Sequence, residues 1–298
     1  MSVITTSDTK TILITGSSSG IGRACALQLA EQGHQVVATA RKTRDLQELE
    51  THDNIIAIFL DLEEQESFVA LLQEIERREL EIDVLINNAG ILLTGLALAT
   101  PVEQVSEIFA INVFGTFRLI QMIIPHLMAS QGLVINLSSD SGLVTFPYTT
   151  IYSMTKYAIE ALTDGLRAEL QPYDITVTTV EPGNTRTDIV TTAHQKLKQI
   201  EIPEILQAQH EEIKYILEQP ILVDSQPPDT VATCIREIID RHSLKQAIRP
   251  RYFVGTPEES KFAIQSLFET IHHINSSSTE PMDRESLIAE LDFALNLE

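Results

Sequence analysis

Seven short apolar runs, spaced by longer stretches of helical period, constrain this chain more than any other feature. The runs are Thr11–Thr15, Gln35–Thr39, Ile55–Leu60, Asp83–Asn87, Leu133–Leu137, Thr176–Val180 and Arg251–Val254. Most lack the in/out alternation of a half-buried strand. A strand that is apolar on both sides is covered on both faces, the signature of a parallel sheet between helix layers. Strand and helix taking turns predict right-handed crossovers, and so an α/β fold: a doubly wound parallel sheet of about seven strands with helices on both faces.

The rhythm breaks after Pro182. Residues 184–227 hold no obvious strand but an amphipathic stretch, Ile200 to Leu222, bracketed by Pro203 and Pro220. A loop of that size in a compact domain is usually functional, and it is assigned here as a lid. Residues 1–255 are expected to form one catalytic domain. Residues 256–298 are expected to form an acidic helical extension, with helical patterns over Pro257–Ile274 and Asp283–Leu297 joined by a flexible linker at 275–279.

Charge narrows the partners. There are 21 Lys+Arg against 42 Asp+Glu, a net charge of −21. Such a chain repels phosphate backbones, so nucleic acid is not an expected partner. No run is expected to reach the roughly 20 apolar residues of a membrane span. Residues 1–9 show no secretory pattern. Cys25 and Cys234 form no disulfide framework and have no ligand-spaced companions, so no metal site is expected. These features together predict a cytoplasmic protein.

Chemistry starts at the first strand-to-helix corner, Thr15-Gly16-Ser17-Ser18-Ser19-Gly20-Ile21-Gly22. Glycines allow a tight turn and close approach to a pyrophosphate, and the following helix offers unpaired N–H groups to the anion. The pattern is expected at the dinucleotide corner of a Rossmann fold, the alternative being an ordinary Gly/Ser-rich turn. An acid at the end of the second strand would bind ribose hydroxyls and mark NAD, whereas arginine accommodates a 2′-phosphate. The chain has Thr39-Ala40-Arg41-Lys42 there, with Arg44 close behind, so NADP(H) is expected over NAD(H). Asp61-Leu62 follows the third strand, where adenine would lie, although Asp61 also suits a helix cap. Asn88, Ala89 and Gly90 follow the fourth.

Ser139 ends the fifth strand. Tyr152 and Lys156 lie four apart on a helix over Tyr152–Leu170 and so share one face. A phenol of ordinary pKa is a poor proton donor at neutral pH, and a neighbouring ammonium lowers that pKa. On spacing alone, a Tyr–Lys pair of this kind also occurs on many helices that do no chemistry.

Taken together, these residues resemble the short-chain dehydrogenase/reductase family. The match runs in order over about residues 10–190: the glycine corner, Asn87-Asn88-Ala89-Gly90, Asn112 in Asn-Val-Phe-Gly, Ser138-Ser139, Tyr152-x-x-x-Lys156, and Pro182-Gly183 with Thr187. The end of the first domain is similar to the steroid- and retinol-dehydrogenase-like branch. The resemblance implies hydride transfer between a nicotinamide and a carbonyl or secondary alcohol. Gly16, Ser18, Gly20, Ile21 and Gly22 would hold the phosphates, Asp61 and Leu62 would flank adenine, and Asn88, Ala89 and Gly90 would line the groove. Pro182, Gly183 and Thr187 would position the nicotinamide. Tyr152 would be the general acid or base, Lys156 would lower its pKa and bond the ribose, Ser139 would orient the substrate oxygen, and Asn112 would hold a proton-relaying water. Asp140 departs from the family pattern: it could raise the Tyr152 pKa, bind a polar substrate or face solvent.

The expected pocket wall is Leu92, Leu93, Leu96, Leu143, Phe146 and Tyr148, with Ile200, Ile202, Ile205, Leu206, Ile213, Ile216 and Leu217 in the lid. This suggests a small apolar carbonyl or alcohol substrate. A homo-oligomer is expected, a dimer over a tetramer, through helices in Pro101–Ala129 and Tyr152–Leu170 that carry Ile108, Ile111, Phe114, Phe117 and Ile120. The competing reading is a cofactor-binding regulator or scaffold without turnover.

Overall fold

The computed structural model describes residues 9–198, 202–209, 212–213, 215, 225–279 and 281–295. The chain divides into two units, Met1–Thr256 and Pro257–Glu298. In the first unit, β1 (Thr11–Ile14), β2 (Gln35–Ala40), β3 (Ile55–Phe59), β4 (Val84–Asn87), β5 (Leu133–Leu137), β6 (Thr176–Pro182) and β7 (Arg251–Val254) form one sheet. Its order is β3-β2-β1-β4-β5-β6-β7, and every pairing is parallel. The chain winds outward from β1 to β3, then returns beside β1 as β4. That reversal opens a crevice at the carboxyl ends of β1 and β4.

Both faces of the sheet are buried, which explains the unbroken apolar strands. Ile12 and Ile14 join one core with Cys25 and Leu29 of α1 (Gly20–Glu31) and with Val231 and Ile235 of α8 (Pro228–Ser243). Leu13, between them in sequence, points the other way. It joins Phe68, Leu71 and Ile75 of α3 (Gln65–Arg77) and Leu119, Ile120 and Ile123 of α5 (Thr116–Ser130). Among the described residues, this unit also carries α2 (Thr43–Leu49), α4 (Val102–Phe109), α6 (Thr150–Leu170) and α7 (Asp188–Leu197).

Helices α4 and α5 are continuous through one wide π-turn, Ala110–Gly115. The resulting stretch, Val102–Ser130, is long and apolar enough by length and composition to cross a bilayer, contrary to the expectation that no run comes near that length. Its mean hydropathy is high because one side packs on the sheet while Phe114 and Phe117 face outward. Ile108, Ile111 and Ile120, expected at a subunit interface, are buried within the chain itself.

The segment after Gly183 is closed at its base by a parallel bridge between Thr185 and Gln226. The amphipathic stretch expected from Ile200 to Leu222 is described only in part. A tight turn occupies Glu204–Gln209 and leaves helical geometry at Leu206. Ile213 is buried and Ile205 exposed. Ile200, Ile216, Leu217 and Leu222 lie outside the described residues.

The second unit contains α9 (Pro257–Ser277) and α10 (Arg284–Leu295). The expected flexible linker is largely helix. Ser276 and Ser277 donate back to the carbonyls of His273 and Ile274, and Asn275 closes the turn through Nδ2 to Met282 O and Oδ1 from Met282 N, each 2.8 Å.

Candidate active site

The glycine corner is built by contacts between β1 and the loop after β4. Thr15 Oγ1 accepts the main-chain N–H groups of Asn88 (3.0 Å) and Ala89 (2.9 Å). Asn88 Nδ2 donates back to Thr15 O at 2.8 Å and Gly16 O at 3.2 Å. Gly16 holds a φ of +70°, which favours glycine. A Cβ on Gly22 would stand 2.4 Å from both Gly16 O and Asn88 Nδ2, so α1 packs directly on the turn. Ser19 precedes the helix in extended conformation and makes no capping side-chain bond. The first-turn N–H groups therefore face an open corner suited to a phosphate.

At the next strand end, Arg41, Lys42 and Asp45 line the cleft together with Leu60, Asp61 and Leu62. Arg41 Nη1 lies 3.8 Å from Asp61 Oδ2, a loose pair with a largely exposed guanidinium. Asp61 is not the cap of α3. Its Oδ1 accepts the Glu63 N–H, and Glu64 stands at the N-cap.

The catalytic corner joins β5 to α6. Ser139 Oγ donates to Asp140 Oδ1 at 2.7 Å and accepts the Ser141 N–H at 3.2 Å. Lys156 Nζ donates to Leu137 O at 2.8 Å and sits over the Tyr152 ring, 5.6 Å from its centre. Burial lowers the Lys156 ammonium to about 8, against the pull of Glu160. The Tyr152 phenol is also pushed up by burial; a hydrogen bond with Ser139 opposes this, and the Asp140 charge adds to it. Burial is the largest influence on this phenol, and Lys156 Nζ spends one of its three N–H donors on a strand carbonyl.

Asn112 lies behind this corner, in the π-turn. Its Oδ1 accepts Ile91 N at 2.8 Å, and its Nδ2 donates to Ile91 O at 2.9 Å and to Thr155 Oγ1 at 3.1 Å. Thr155 Oγ1 in turn donates to Tyr152 O at 2.7 Å. Both amide protons of Asn112 are spent on the protein. Its side chain ties the loop after β4 to α6.

One cleft of about 1030 Å³ joins these parts. Gly16, Ser18, Gly20, Ile21, Arg41, Asp61, Leu62, Asn88, Ala89, Gly90, Ser139, Tyr152, Lys156, Pro182, Gly183 and Thr187 all line it, while Gly22 and Asn112 support it from behind. Of the expected wall, Leu92 and Phe146 line the cleft; Leu93, Leu96, Leu143 and Tyr148 do not. The phenol of Tyr148 instead donates to Glu212. Sequence reasoning missed Asp188, Ile189 and Val190, which α7 brings to the rim. It also missed Thr155, whose bond to Asn112 spans 43 positions.

The sequence matches the family of short chain dehydrogenases over residues 10–198. This chain belongs to the short-chain dehydrogenase/reductase family. It falls in the steroid- and retinol-dehydrogenase-like branch, and its family chemistry is hydride transfer between a nicotinamide cofactor and a CH–OH or carbonyl group. It is 32% identical over 269 residues to the uncharacterized oxidoreductase YusZ of Bacillus subtilis, covering 87% of this chain and 94% of that one. It is 37% identical over 178 residues to a 3-ketodihydrosphingosine reductase of Bacteroides thetaiotaomicron, covering 59% of this chain and 64% of the relative. A short-chain dehydrogenase from Streptomyces avermitilis superposes with a TM-score of 0.76 at 28% identity, over 90% of this chain and 95% of its own. One from Sphingobium yanoikuyae in complex with NADPH gives 0.67 at 25% identity, over 92% and 99%.

Proposed function

We propose that this short-chain dehydrogenase is an NADP(H)-dependent oxidoreductase acting on an apolar carbonyl or secondary alcohol, with Tyr152 as general acid and base. The observation carrying this reading is the single cleft, which brings the glycine corner, Arg41 and the Ser139–Tyr152–Lys156 group together. Gly16, Ser18, Gly20, Ile21 and Gly22 hold the pyrophosphate, and Asn88, Ala89 and Gly90 line the groove. Pro182, Gly183 and Thr187 seat the nicotinamide. Arg41 and Lys42 favour a 2′-phosphate, because β2 ends in Thr39-Ala40 with no acid to bind bare ribose hydroxyls. A guanidinium only loosely tied to Asp61 is open to two parallel bonds with a phosphate.

When bound, the nicotinamide cofactor supplies or accepts the hydride. In the reducing direction, the Ser139 hydroxyl turns from Asp140 to the substrate oxygen and orients it. Tyr152 donates its proton to that oxygen as negative charge grows there. The Lys156 ammonium, over the ring, stabilises the phenolate left behind. In the oxidising direction, the phenolate takes the hydroxyl proton.

Ile91, Leu92, Phe146, Ile189 and Val190 give the substrate side an apolar lining. With the relative that reduces 3-ketodihydrosphingosine, this favours a long-chain ketone. The outward Phe114, Phe117, Met154 and Tyr157 support a homodimer. The free thiols of Cys25 and Cys234 support a cytoplasmic site of action.

The test is a pair of fluorescence titrations with NADPH and NADH, then consumption of the preferred cofactor across long- and short-chain ketones. Tighter NADPH binding and turnover of an apolar ketone are expected. Equal affinities would remove the 2′-phosphate assignment, and NADPH binding without consumption of any ketone would favour the regulator.

A further inference from the structure

Behind the catalytic corner lies a charged cluster that the mechanism above does not use. Glu160, on α6, and Glu181, on β6, are both buried. Arg251 of β7 serves them both: Nη1 bonds the Glu160 carboxylate and lies 3.1 Å from Glu181 Oε1, while Nη2 lies 2.6 Å from Asp164 Oδ2. Asp164 is half-exposed and has a second partner, Arg167, at 2.7 Å. With Asp164 matched to Arg167, two buried carboxylates remain for one guanidinium. Burying charge is costly unless it is balanced.

The missing positive charge lies one helical turn away. Lys156 and Glu160 are four apart on α6 and share one face. Arg251 binds Glu160 through Oε2. Glu160 Oε1 and Ser138 Oγ are both buried, and the Ser138 hydroxyl, facing this carboxylate, favours its charged form against the cost of burial. Both atoms border one point at the end of β5. A Cβ on Gly142 would stand 2.5 Å from Ser138 Oγ and 3.3 Å from Glu160 Oε1. Lys156 Nζ is anchored next door, on the carbonyl of Leu137.

Resting on the reading of Lys156 as the partner of Tyr152, we propose that Glu160 is a positioning residue: it is the counter-ion that keeps the buried Lys156 ammonium charged. The other groups facing the cluster are Asp164 and Arg167 from α6, Glu181 from β6, Arg251 from β7, and Ser138 at the end of β5. Glu160 is the carboxylate on the turn of Lys156, and Arg251 holds it in place from across the sheet edge. When all four are ionised, the charges of Lys156, Glu160, Glu181 and Arg251 sum to zero. The catalytic pair is thereby linked to β7, the last strand of the sheet, through side chains alone.

The test measures Lys156 directly, without cofactor or substrate, and so stands apart from the turnover screen that tests the reductase reading. The folded protein is labelled with trace acetic anhydride across a pH series, and acetylation of the Lys156 peptide is followed by mass spectrometry. The parent midpoint is expected near pH 8, the value burial gives Lys156. Glu160→Gln keeps the shape and removes the charge, and is expected to lower the midpoint by about one pH unit, a tenfold loss of proton affinity. Glu160→Asp keeps the charge and stays close to the parent. Glu181→Gln, acting from the strand, shifts the midpoint less than Glu160→Gln. If Glu160→Gln fails to fold, Glu160→Met, of similar volume and with no polar atom to strand, takes its place with the same expected midpoint. An unmoved midpoint in the uncharged variant, an equal shift in Glu160→Asp, or an equal shift in Glu181→Gln would each overturn the assignment.

Discussion

Glu181→Gln separates the electrostatics of the buried cluster from its packing. The Glu181 carboxyl is raised to about 7 from an ordinary 4.5, chiefly by burial and next by the charge of Glu160, with Arg251 opposing. The folded state therefore binds more protons than the unfolded state between these values. Stability contributed by this group is complete below about pH 4.5 and is lost as pH rises through about 7. At ~1.4 kcal/mol per pH unit, the gap amounts to about 3 kcal/mol, an upper figure because Glu160 titrates with it. Glutamine cannot ionise, so the variant lacks this slope. Urea melts of parent and variant at about pH 5 and about pH 8 supply the measurement. The variant loses stability at both through its weakened bond to Arg251, but its deficit should shrink by up to about 3 kcal/mol at the higher pH. Taking the variant-minus-parent difference cancels the titrating groups outside the cluster, including His34 and His242. A deficit that is constant across the range, or that grows with pH, would refute the reasoning.

Tyr152→Phe should leave NADPH affinity and melting temperature near those of the parent and reduce turnover by about 100- to 10,000-fold, measured as cofactor consumption. Gly22→Ala drives a methyl against Gly16 O and Asn88 Nδ2 and should weaken NADPH binding by more than about tenfold, because the phosphate turn must move. Its fluorescence titration decides this, and parental affinity would show that the turn is not the phosphate site. Asp140→Asn removes a charge that raises the Tyr152 phenol, so the pH at which alcohol oxidation sets in should fall; an unchanged pH profile would show that this charge does not reach Tyr152.

The sheet was legible because each strand announces itself locally. Ile12, Leu13 and Ile14 can all be apolar only if both faces are covered, and the structure sends them alternately into two cores. The candidate site was legible where one short segment carries several polar or glycine residues, as at Gly16–Gly22 or Tyr152–Lys156. It was not legible where a residue acts through a partner distant in sequence. Arg251 reads as an ordinary strand residue, yet its partners Glu160 and Glu181 lie 91 and 70 positions earlier. Tyr148 reads as an aromatic pocket wall, but its phenol is drawn away by Glu212, 64 positions on. The serines at 276 and 277 have linker composition and remain helical because their hydroxyls find carbonyls in the preceding turn. Composition records what a residue prefers on average, and these are cases where one specific bond prevails.

The wide turn at Ala110–Gly115 is, in effect, one surplus residue accommodated inside a helix. It takes up the roughly 100° that an extra residue would otherwise add, so deleting one residue there would restore regular winding and leave α5 in its present register. Leu119, Ile120, Ile123 and Leu127 would stay in the core, while the tether from Asn112 to Thr155 would lose its alignment. A one-residue deletion between residues 110 and 115 should therefore spare the sheet packing and disturb the corner beside Tyr152.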